Sequence, residues 1–565
     1  MPQLRGGWRQ LLWRHLERGL NSTAALVRRR RNAWKRSRAA LHRRRSAYPP
    51  ADVTGLAQAF LDWLNKPRKK KVIFFALLTL RYVSGGSVLT ETLHISTHKL
   101  NTAEGDGPSN THFRVLLRPE DIPPFRQEVK EPFSEGISLL PSGKLTIGNP
   151  DGTINAKLPP TRSWLGGIIE VKMTGDASEV PLSSAATVYK GRLGSPVRSE
   201  ENIEVDIFSR HLDLENRLMP TATFTGPNSE VHLEPFGYGE LKNIPLILVD
   251  SVNLVYATVT GPIQSIDNVF NNGVALVLTT DYTVNLTTGR VTLVNPLTGT
   301  LTADIKGYQI SGTYSDKRGD FVNHALTNFG GLVAADLDSA SFTQFNTDVP
   351  EASYFYAGQE MSVREFVSRL LNPVIGYLVE TRSSKFKIGL VPLPVASPDL
   401  TLDRNDIIGR GREIPLSFVL NIATVRYDRN HTVQASQSLG DAAPVQSTTS
   451  AGRAKRAWLA DEWRSTKSAT PGATEGRNLV PTAEDVVVDS YFLAKAAADT
   501  YAARWKTFFG VQRYLIDHDF NLKPFQIDIL AKLRLTNAWR TSVDTIVVMQ
   551  EEGYGSGLVS RRLFL

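Results

Sequence analysis

From residue 72 to about residue 320 the sequence consists of short stretches in which apolar and polar residues alternate, separated by turn residues. In GGIIEVKMTGD, Ile169, Val171 and Met173 occupy every second position. In the earlier stretch GKLTIGNPDGTINAKL, Asp151-Gly152 separates two extended runs. Alternation with a period of two is typical of strands with one buried face, and Asp-Gly favours a hairpin turn. The sequence predicts a mainly β (α+β) protein with several antiparallel β-barrel or sandwich domains and a few helices.

One hairpin is especially clear in the stretch DYTVNLTTGRVTLVNP. Tyr282 and Val284 fall on one face of a strand, Val291 and Leu293 continue that face on the return strand, and Gly289 occupies a turn position that favours a left-handed backbone. LTADIKGYQISGTY is predicted as a third strand of the same antiparallel unit. Most side chains of this passage are suited to packing. We therefore expect it to have a structural role as a spacer and support, and no chemical role.

Helices are predicted where apolar residues recur every three or four positions. In MSVREFVSRLLNPVIGYLV, Ser362 and Glu365 form a capping box ahead of an apolar stripe. SYFLAKAAADTYAARWKTFF is predicted as a second helix, and VTGLAQAFLDWLN as a shorter one near the N-terminus.

A segment rich in Ser, Thr, Ala and Gly, residues 434–478, is predicted to be a long flexible loop. Two indoles are poorly served by solvent there, so Trp458, Trp463 and Arg464 are candidate residues for contact with a partner protein. The alternative is that the two indoles fold back onto the body of the protein.

The N-terminal region has a very different charge from the rest of the chain. Residues 1–71 hold 19 Lys and Arg against three acidic residues, whereas the remainder carries a net charge of −7. A mildly acidic body therefore follows a strongly basic segment, and the overall net charge of +9 averages the two.

Apolar residues in this basic segment recur at helical spacing, with arginines around the rest of the helix. A basic amphipathic helix suits an anionic surface: lipid headgroups, nucleic acid or an acidic protein. The alternative is a disordered basic arm without a fixed partner. The candidate contact residues are Trp8, Trp13, Arg28, Arg29, Arg30 and Arg31.

The apolar run VIFFALLTL follows the basic segment and is too short for a membrane-spanning helix, which needs about 20 residues. Its β-branched and aromatic residues predict the first strand of the folded body, turned by Gly85-Gly86. We expect four regions: a basic helical arm (1–71), a β-rich domain (72–221), a small antiparallel β domain (222–320), and a mixed α+β domain (321–565) that contains the loop.

Catalytic and cofactor motifs are missing from the sequence. There is no cysteine, which excludes disulfides, thiolate metal sites and cysteine nucleophiles. There is also no G-x-S-x-G elbow and no phosphate-binding P-loop, and IGRGRE lacks the third glycine of a dinucleotide motif. Asp517-His518-Asp519 is the most suggestive polar cluster, but such a triplet is more often a solvated strand or loop. We expect no enzyme activity, no metal and no cofactor.

The order of these segments resembles that of tail hub, baseplate and tail-tip proteins of long-tailed bacteriophages and their prophage relatives. The resemblance runs from VIFFALLTLRYVSGG through LLPSGKLTIGNPDGTIN, WLGGIIEVKM and IPLILVDSVNLVY to MSVREFVSRLL and DTIVVMQEEG, and it covers roughly residues 72–565. It rests on segment order and general pattern, without a catalytic signature.

The resemblance implies a structural virion protein at the distal end of the tail, acting in host attachment and genome ejection. Copies of such a protein form a ring, commonly a trimer, that closes or extends the tail tube and contacts the distal tail ring, the tape-measure protein and the fibres. The basic arm departs from the family pattern and is free to touch DNA, an acidic protein or a membrane. The alternative function is a membrane- or nucleic-acid-associated binding protein that acts through this arm.

Overall fold

The computed structural model describes residues 56–66, 72–104, 106, 108–122, 125–129, 143–176, 180–224, 233–394, 397–435, 439, 450–536, 542–553 and 558–564. Within these ranges strands predominate over helices and form several mainly antiparallel sheets, which confirms the predicted fold class. The interaction candidates of the basic arm, Trp8, Trp13, Arg28, Arg29, Arg30 and Arg31, lie outside the described residues.

The first sheet has eight strands in the spatial order β3-β4-β2-β1-β7-β8-β9-β6. The apolar run VIFFALLTL forms most of β1, as predicted, and Gly85 and Gly86 turn the chain into β2 with φ angles of +60° and +79°. Helix α1 (Gln58–Leu64) buries Phe60 and Trp63 in the core of this sheet. The first nine strands are β1 Ile73–Ser84, β2 Ser87–Ser96, β3 Leu100–Asn101, β4 His112–Val115, β5 Phe125–Glu128, β6 Gly143–Gly148, β7 Ser163–Thr174, β8 Ala186–Arg198 and β9 Asn202–Phe208.

Two small sheets make up the middle of the chain, with the orders β12-β19-β15-β16 and β13-β14-β18-β17. The predicted hairpin is confirmed as β17–β18: Tyr282 pairs with Leu293, Val284 pairs with Val291, and Gly289 has φ +65°. The third strand, β19, belongs to the other sheet, because its partners β12 and β15 come from distant segments. The strands are β10 Leu218–Met219, β11 Phe236–Tyr238, β12 Glu240–Pro245, β13 Ile247–Asp250, β14 Val255–Ala257, β15 Ile263–Asn271, β16 Val274–Ala275, β17 Tyr282–Asn285, β18 Arg290–Leu293, β19 Leu301–Ile310 and β20 Thr313–Tyr314.

A helical segment follows and shares a core with these sheets. The Ser362 part of the predicted capping box is present, since the Ser362 hydroxyl accepts a hydrogen bond from the Glu365 N–H at 3.1 Å. Among the described residues from 211 to 374 there are four helices, a π-helical turn and two 3₁₀ turns. They are α2 His211–Asn216, α3 Arg318–His324, the π turn Ala325–Phe329, the 3₁₀ turn Ala334–Asp336, α4 Ser339–Asp348, α5 Val363–Leu371 and the 3₁₀ turn Asn372–Val374.

The C-terminal part contains a three-stranded sheet of order β28-β27-β29 and a seven-stranded sheet of order β25-β31-β32-β33-β30-β26, in which β5 also pairs with β32. Helix α7 (Lys495–Phe509), predicted from the sequence, packs on β27 and β28. The strands are β21 Phe355–Ala357, β22 Met361–Ser362, β23 Gly376–Glu380, β24 Phe386–Leu390, β25 Leu400–Leu402, β26 Ile407–Pro415, β27 Leu420–Tyr427, β28 Arg464–Lys467, β29 Glu484–Asp489, β30 Tyr514–Phe520, β31 Lys532–Thr536, β32 Ser542–Gly553 and β33 Leu558–Phe564.

The structure differs from the predicted long loop at residues 434–478. This segment contains helix α6 (Ser450–Ala460), strand β28 and the 3₁₀ turn Gly476–Asn478. The Ala, Arg and Lys residues of AGRAKRAWLA are strong helix formers. Strand β28 is held by pairing with β27, a partner that local composition does not reveal.

The sequence-based regions are interleaved in space. Strand β5, from the β-rich region, pairs with β32 near the C-terminus, and Phe525 packs in the core of the first sheet. The predicted regions 72–221, 222–320 and 321–565 therefore describe segments of the sequence and not separate folded bodies. The division into domains stays a prediction.

Candidate interaction site

Trp458 packs onto the body of the protein and is only 4% exposed. Its indole Nε1 donates a hydrogen bond to the Asp428 carbonyl at 3.1 Å, and the ring contacts Leu439 and Leu459. This is the second of the two alternatives drawn from the sequence. In this conformation Trp458 supports α6 and is not presented to a partner.

Trp463 is half-buried, and Arg464 is exposed. The guanidinium of Arg464 forms an ion pair with Asp428 at 3.2 Å. The guanidinium carbon of Arg429 lies 5.2 Å from the Trp463 ring centroid, and the Tyr491 ring lies 6.0 Å away. Trp463 borders a cavity.

That cavity, here called the arginine pocket, has a volume of about 550 Å³. Its walls come from the end of α5, the residues after it, the end of β27, the chain just before β28, and β29. The lining residues are Arg369, Asn372, Pro373, Arg426, Arg429, Glu462, Trp463, Val487, Val488, Asp489 and Tyr491.

Three guanidinium groups of the arginine pocket each pair with a carboxylate. The pairs are Arg369 Nη2 with Glu365 Oε1 at 2.6 Å, Arg426 Nη1 with Asp489 Oδ1 at 3.3 Å, and Arg429 Nη2 with Glu462 Oε1 at 2.8 Å. Burial raises the pKa of Tyr491, and the side-chain hydrogen bond with Arg369 opposes that rise. The arrangement offers planar cationic donors that suit carboxylates.

Sequence reasoning singled out Trp463 but missed the three arginines. They come from two separate stretches of sequence, α5 and the region at the end of β27, and neither stretch has a motif. Their only sequence signal is residue type, because Arg, like Trp and Tyr, is enriched at the centres of interfaces.

The Asp517-His518-Asp519 triplet lies on strand β30 and contacts the second glycine of IGRGRE, Gly411, on β26. Asp517 is in register with Arg412, and the buried His518 ring occupies the space in which a Cβ of Gly411 would stand. Burial lowers the pKa of His518. The two sequence features thus form one packing contact between neighbouring strands.

One end of the first sheet projects beyond its core. The tip of the β1–β2 hairpin and the end of β8 are exposed along consecutive residues, so both faces of these strands meet solvent there. Large apolar side chains stand on this projecting end, here called the β-projection. They are Val83, Val88, Leu89, Leu165 and Val197, and the first two are opposite each other in the hairpin.

Within the described ranges, no three His, Cys, Asp or Glu residues are grouped in a way that would hold a metal ion. Across the same ranges, no helix has both the length and the apolar character needed to span a bilayer.

No family model matches the chain, and no curated protein matches it. Among solved structures, the chain is similar to the 43 kDa tail protein of prophage MuSo2 from Shewanella oneidensis, with 9% identity, a TM-score of 0.36, and coverage of 87% of this chain and 98% of that one. It is also similar to the prophage tail protein gp18 from Listeria monocytogenes EGD-e, with 5% identity, a TM-score of 0.34, and coverage of 81% and 92%.

A third similar structure is the virion of a native gene transfer agent particle, with 14% identity, a TM-score of 0.17, and coverage of 44% of this chain and 84% of that one. The similar solved structures are thus prophage tail proteins and a virion, the class that the order of segments resembles. With TM-scores below 0.5 they are distant likenesses, and they assign no function to this chain.

Proposed function

We propose that this chain is a structural protein of a bacteriophage tail, located at the distal end as a baseplate hub or tail-tip component. The order of segments from residue 72 to 565 supports the class of protein. The β-projection supports a role in assembly and is the observation that carries the proposal.

The β-projection is an unusual surface for a protein that works alone. Val83 is 72% exposed and Val88 is 68% exposed, and the two valines are opposite each other at the tip of the β1–β2 hairpin. A two-stranded ribbon is marginally stable in water, and grouped exposed apolar side chains mark interaction sites. Burial of these side chains against another subunit would stabilise both the ribbon and the contact.

The proposed occupant is a second copy of this chain, in a closed ring for which three copies are favoured. A head-to-tail contact between a projecting ribbon and a different surface of the neighbour closes into a ring when the rotation permits. The ring would close or extend the tail tube and contact the distal tail ring, the tape-measure protein and the fibres. The basic arm would reach DNA, an acidic protein or a membrane.

The ring is tested by the mass of the purified full-length chain in solution, measured by light scattering. We expect a closed oligomer for the wild type and a monomer for the double variant Val83→Asp/Val88→Asp. A matched control is Val252→Asp/Val277→Asp, which changes two other exposed valines and should leave the oligomer intact. A monomeric wild type would contradict the ring. A projection variant that retains the mass of an oligomeric wild type would contradict the β-projection as the contact between copies.

The location in the tail is tested separately by immunogold labelling of purified tail particles with an antibody against this chain. Gold at the distal tip is the expected result. Gold along the tube, at the head end, or absent from particles would refute the placement.

A further inference from the structure

Strand β29 is an edge strand whose outer side pairs with no described strand. Its Glu484 N–H donates to Val419 and its neighbour Ser490 N–H donates to Arg426, each at 3.0 Å, so the even-numbered N–H groups face β27. The N–H and C=O groups of Asp485, Val487 and Asp489 therefore point the other way. A row of outward backbone groups is a template for another strand.

The only described bridge on that outer side lies just beyond the strand, between Phe492 and Ser353. This bridge marks the position after which the outer side of the chain is occupied. Val487, at the middle of the outward row, is 55% exposed. The free edge is therefore limited to β29 itself.

The arginine pocket runs beside this free edge. Val487, Val488 and Asp489 line it on the strand side, while Arg369 and Asn372 line it from the end of α5. The Oδ1 atom of Asn372 is buried without a hydrogen-bond partner among the described residues. An incoming segment would thus find backbone groups on one side and polar side chains on the other.

The charges of the pocket favour an acidic occupant. Arg426 and Arg429 have carboxylate partners, Asp489 and Glu462, whose side chains are 42% and 51% exposed. Ion pairs between groups this exposed contribute little to stability, so a better-placed carboxylate can readily replace the existing partner. The third carboxylate, Glu365, pairs with Arg369 from outside the cavity lining. The lining itself therefore holds three guanidinium groups and two carboxylates, which disfavours a basic segment such as the N-terminal arm of another copy.

We propose that the groove between β29 and the end of α5 binds an extended, acidic segment of a partner protein. The segment adds as a strand to the outer edge of β29, which supplies affinity through backbone hydrogen bonds. Its carboxylates meet Arg369, Arg426 and Arg429, and an apolar residue between them contacts Trp463. This inference goes beyond the tail assignment, because it rests only on the free edge and the pocket.

The test measures fluorescence anisotropy of a labelled ten-residue peptide in which glutamate alternates with valine, titrated with the full-length chain at low salt. The comparison peptide has lysine in place of each glutamate. We expect the glutamate peptide to bind and the lysine peptide to show no binding. The proposal would be overturned if neither peptide binds, or if both peptides bind equally.

Two variants separate the backbone edge from the charges. Val487→Pro removes an outward N–H while leaving the bonds to β27, and Arg426→Gln/Arg429→Gln removes two guanidinium groups. Each variant is expected to weaken binding of the glutamate peptide at least tenfold. The controls Val487→Thr, which keeps the N–H, and Arg364→Gln, which breaks a similar exposed pair with Glu215 elsewhere on α5, should bind as the wild type does.

Unchanged melting temperatures would show that the variants remain folded. If Val487→Pro binds as tightly as Val487→Thr, strand addition is refuted and the peptide is held by charge alone. If the double arginine variant binds as tightly as Arg364→Gln, the acidic specificity is refuted.

Discussion

The Ser209 hydroxyl donates a hydrogen bond to the buried carboxylate of Glu380 across 2.8 Å, although the two residues are 171 positions apart in the sequence. The hydroxyl of Ser384 bonds to the other carboxylate oxygen at 2.5 Å, and the Arg210 N–H adds a third bond. Glu380 therefore ties the end of β9 to the β23–β24 hairpin. Burial nevertheless raises the pKa of Glu380, because desolvation of the charged form outweighs these bonds.

We expect the Glu380→Gln variant to gain stability relative to the wild type as the pH rises from about 4 to 8. A carboxyl whose folded pKa is raised stabilises the fold fully below its unfolded pKa, and this stabilisation is lost as the pH rises through the folded pKa. The uncharged amide does not titrate. Urea unfolding of both proteins at several pH values measures the difference, and a difference that is constant with pH would contradict the expectation.

A second substitution at the same position serves as the comparison. Glu380→Ala leaves the buried hydroxyls of Ser209 and Ser384 without their carboxylate acceptor, which is expected to cost about 1–3 kcal/mol relative to Glu380→Gln. Because neither side chain titrates, this difference between the two variants should be the same at every pH.

Acid is expected to destabilise the fold through His431. This half-buried residue packs its ring against Tyr354 and Tyr356, and desolvation of the ring lowers its pKa to about 3. Between that value and the unfolded pKa of about 6.5 the unfolded chain binds the extra proton, so stability falls as the pH falls through this window. His431→Leu should show a smaller loss of urea midpoint between pH 7 and pH 4.5.

The control for this experiment is His112→Leu, since His112 is exposed. We expect it to follow the wild-type pH dependence. A His431→Leu profile that coincides with the wild type would show that this ring does not govern the acid response.

Arg318 is expected to be indispensable for the helical core. Its guanidinium is fully buried, donates to the Leu370 carbonyl at 2.6 Å and the Ser490 carbonyl at 2.5 Å, and stacks 4.3 Å from the Phe492 ring centroid. Burial lowers the pKa of Arg318 to about 10. Arg318→Met leaves these two buried carbonyl groups without a hydrogen-bond donor. We therefore expect a loss of about 3 kcal/mol or more in the free energy of unfolding.

Chemical denaturation measures this loss. Arg364→Met changes a partly exposed arginine and should stay within about 0.5 kcal/mol of the wild type. A similar small effect at Arg318 would mean that the buried bonds are replaced by water or by neighbouring groups.

The contact between Gly411 and His518 is expected to be strongly coupled. Gly411→Ala places a methyl group inside the His518 ring and should destabilise by about 1–3 kcal/mol, whereas His518→Ala in the same chain should relieve part of that loss. Gly409→Ala is a useful reference, because it has open space and only the strain of φ +77°. Thermal unfolding of the single and double variants tests this, and additive losses would contradict the contact.

Local sequence pattern was sufficient for much of the fold. The period-two alternation identified β7, the turn chemistry identified β17–β18 and its Gly289, and the Ser362 cap identified the start of α5. Each of these depends on neighbours within a few residues. By contrast, the composition of residues 434–478 predicted a loop where α6 lies. Small and polar residues outnumber the helix-forming residues over that segment, although the helix formers are grouped in α6.

The candidate site was less predictable, for a physical reason. The arginine pocket is assembled from segments that are far apart in sequence, and β29 acquires its free edge only because its parallel partner β27 lies on one side. Trp463 could be singled out as an indole in polar surroundings. Its neighbours Arg369 and Arg429 could not, since strand pairing and helix packing bring them there.

Strand β5 also bears on how the protein is made. Phe125–Glu128 pairs with β32, and the Val129 N–H donates to the Val548 carbonyl at 2.9 Å. On the ribosome, β5 emerges long before β32 has been translated. Residues 129–541 must be translated before β32, the partner of β5, begins. The pairing of β5 can therefore form only once β32 has been translated, and a chain that terminates before residue 542 leaves this segment without its partner.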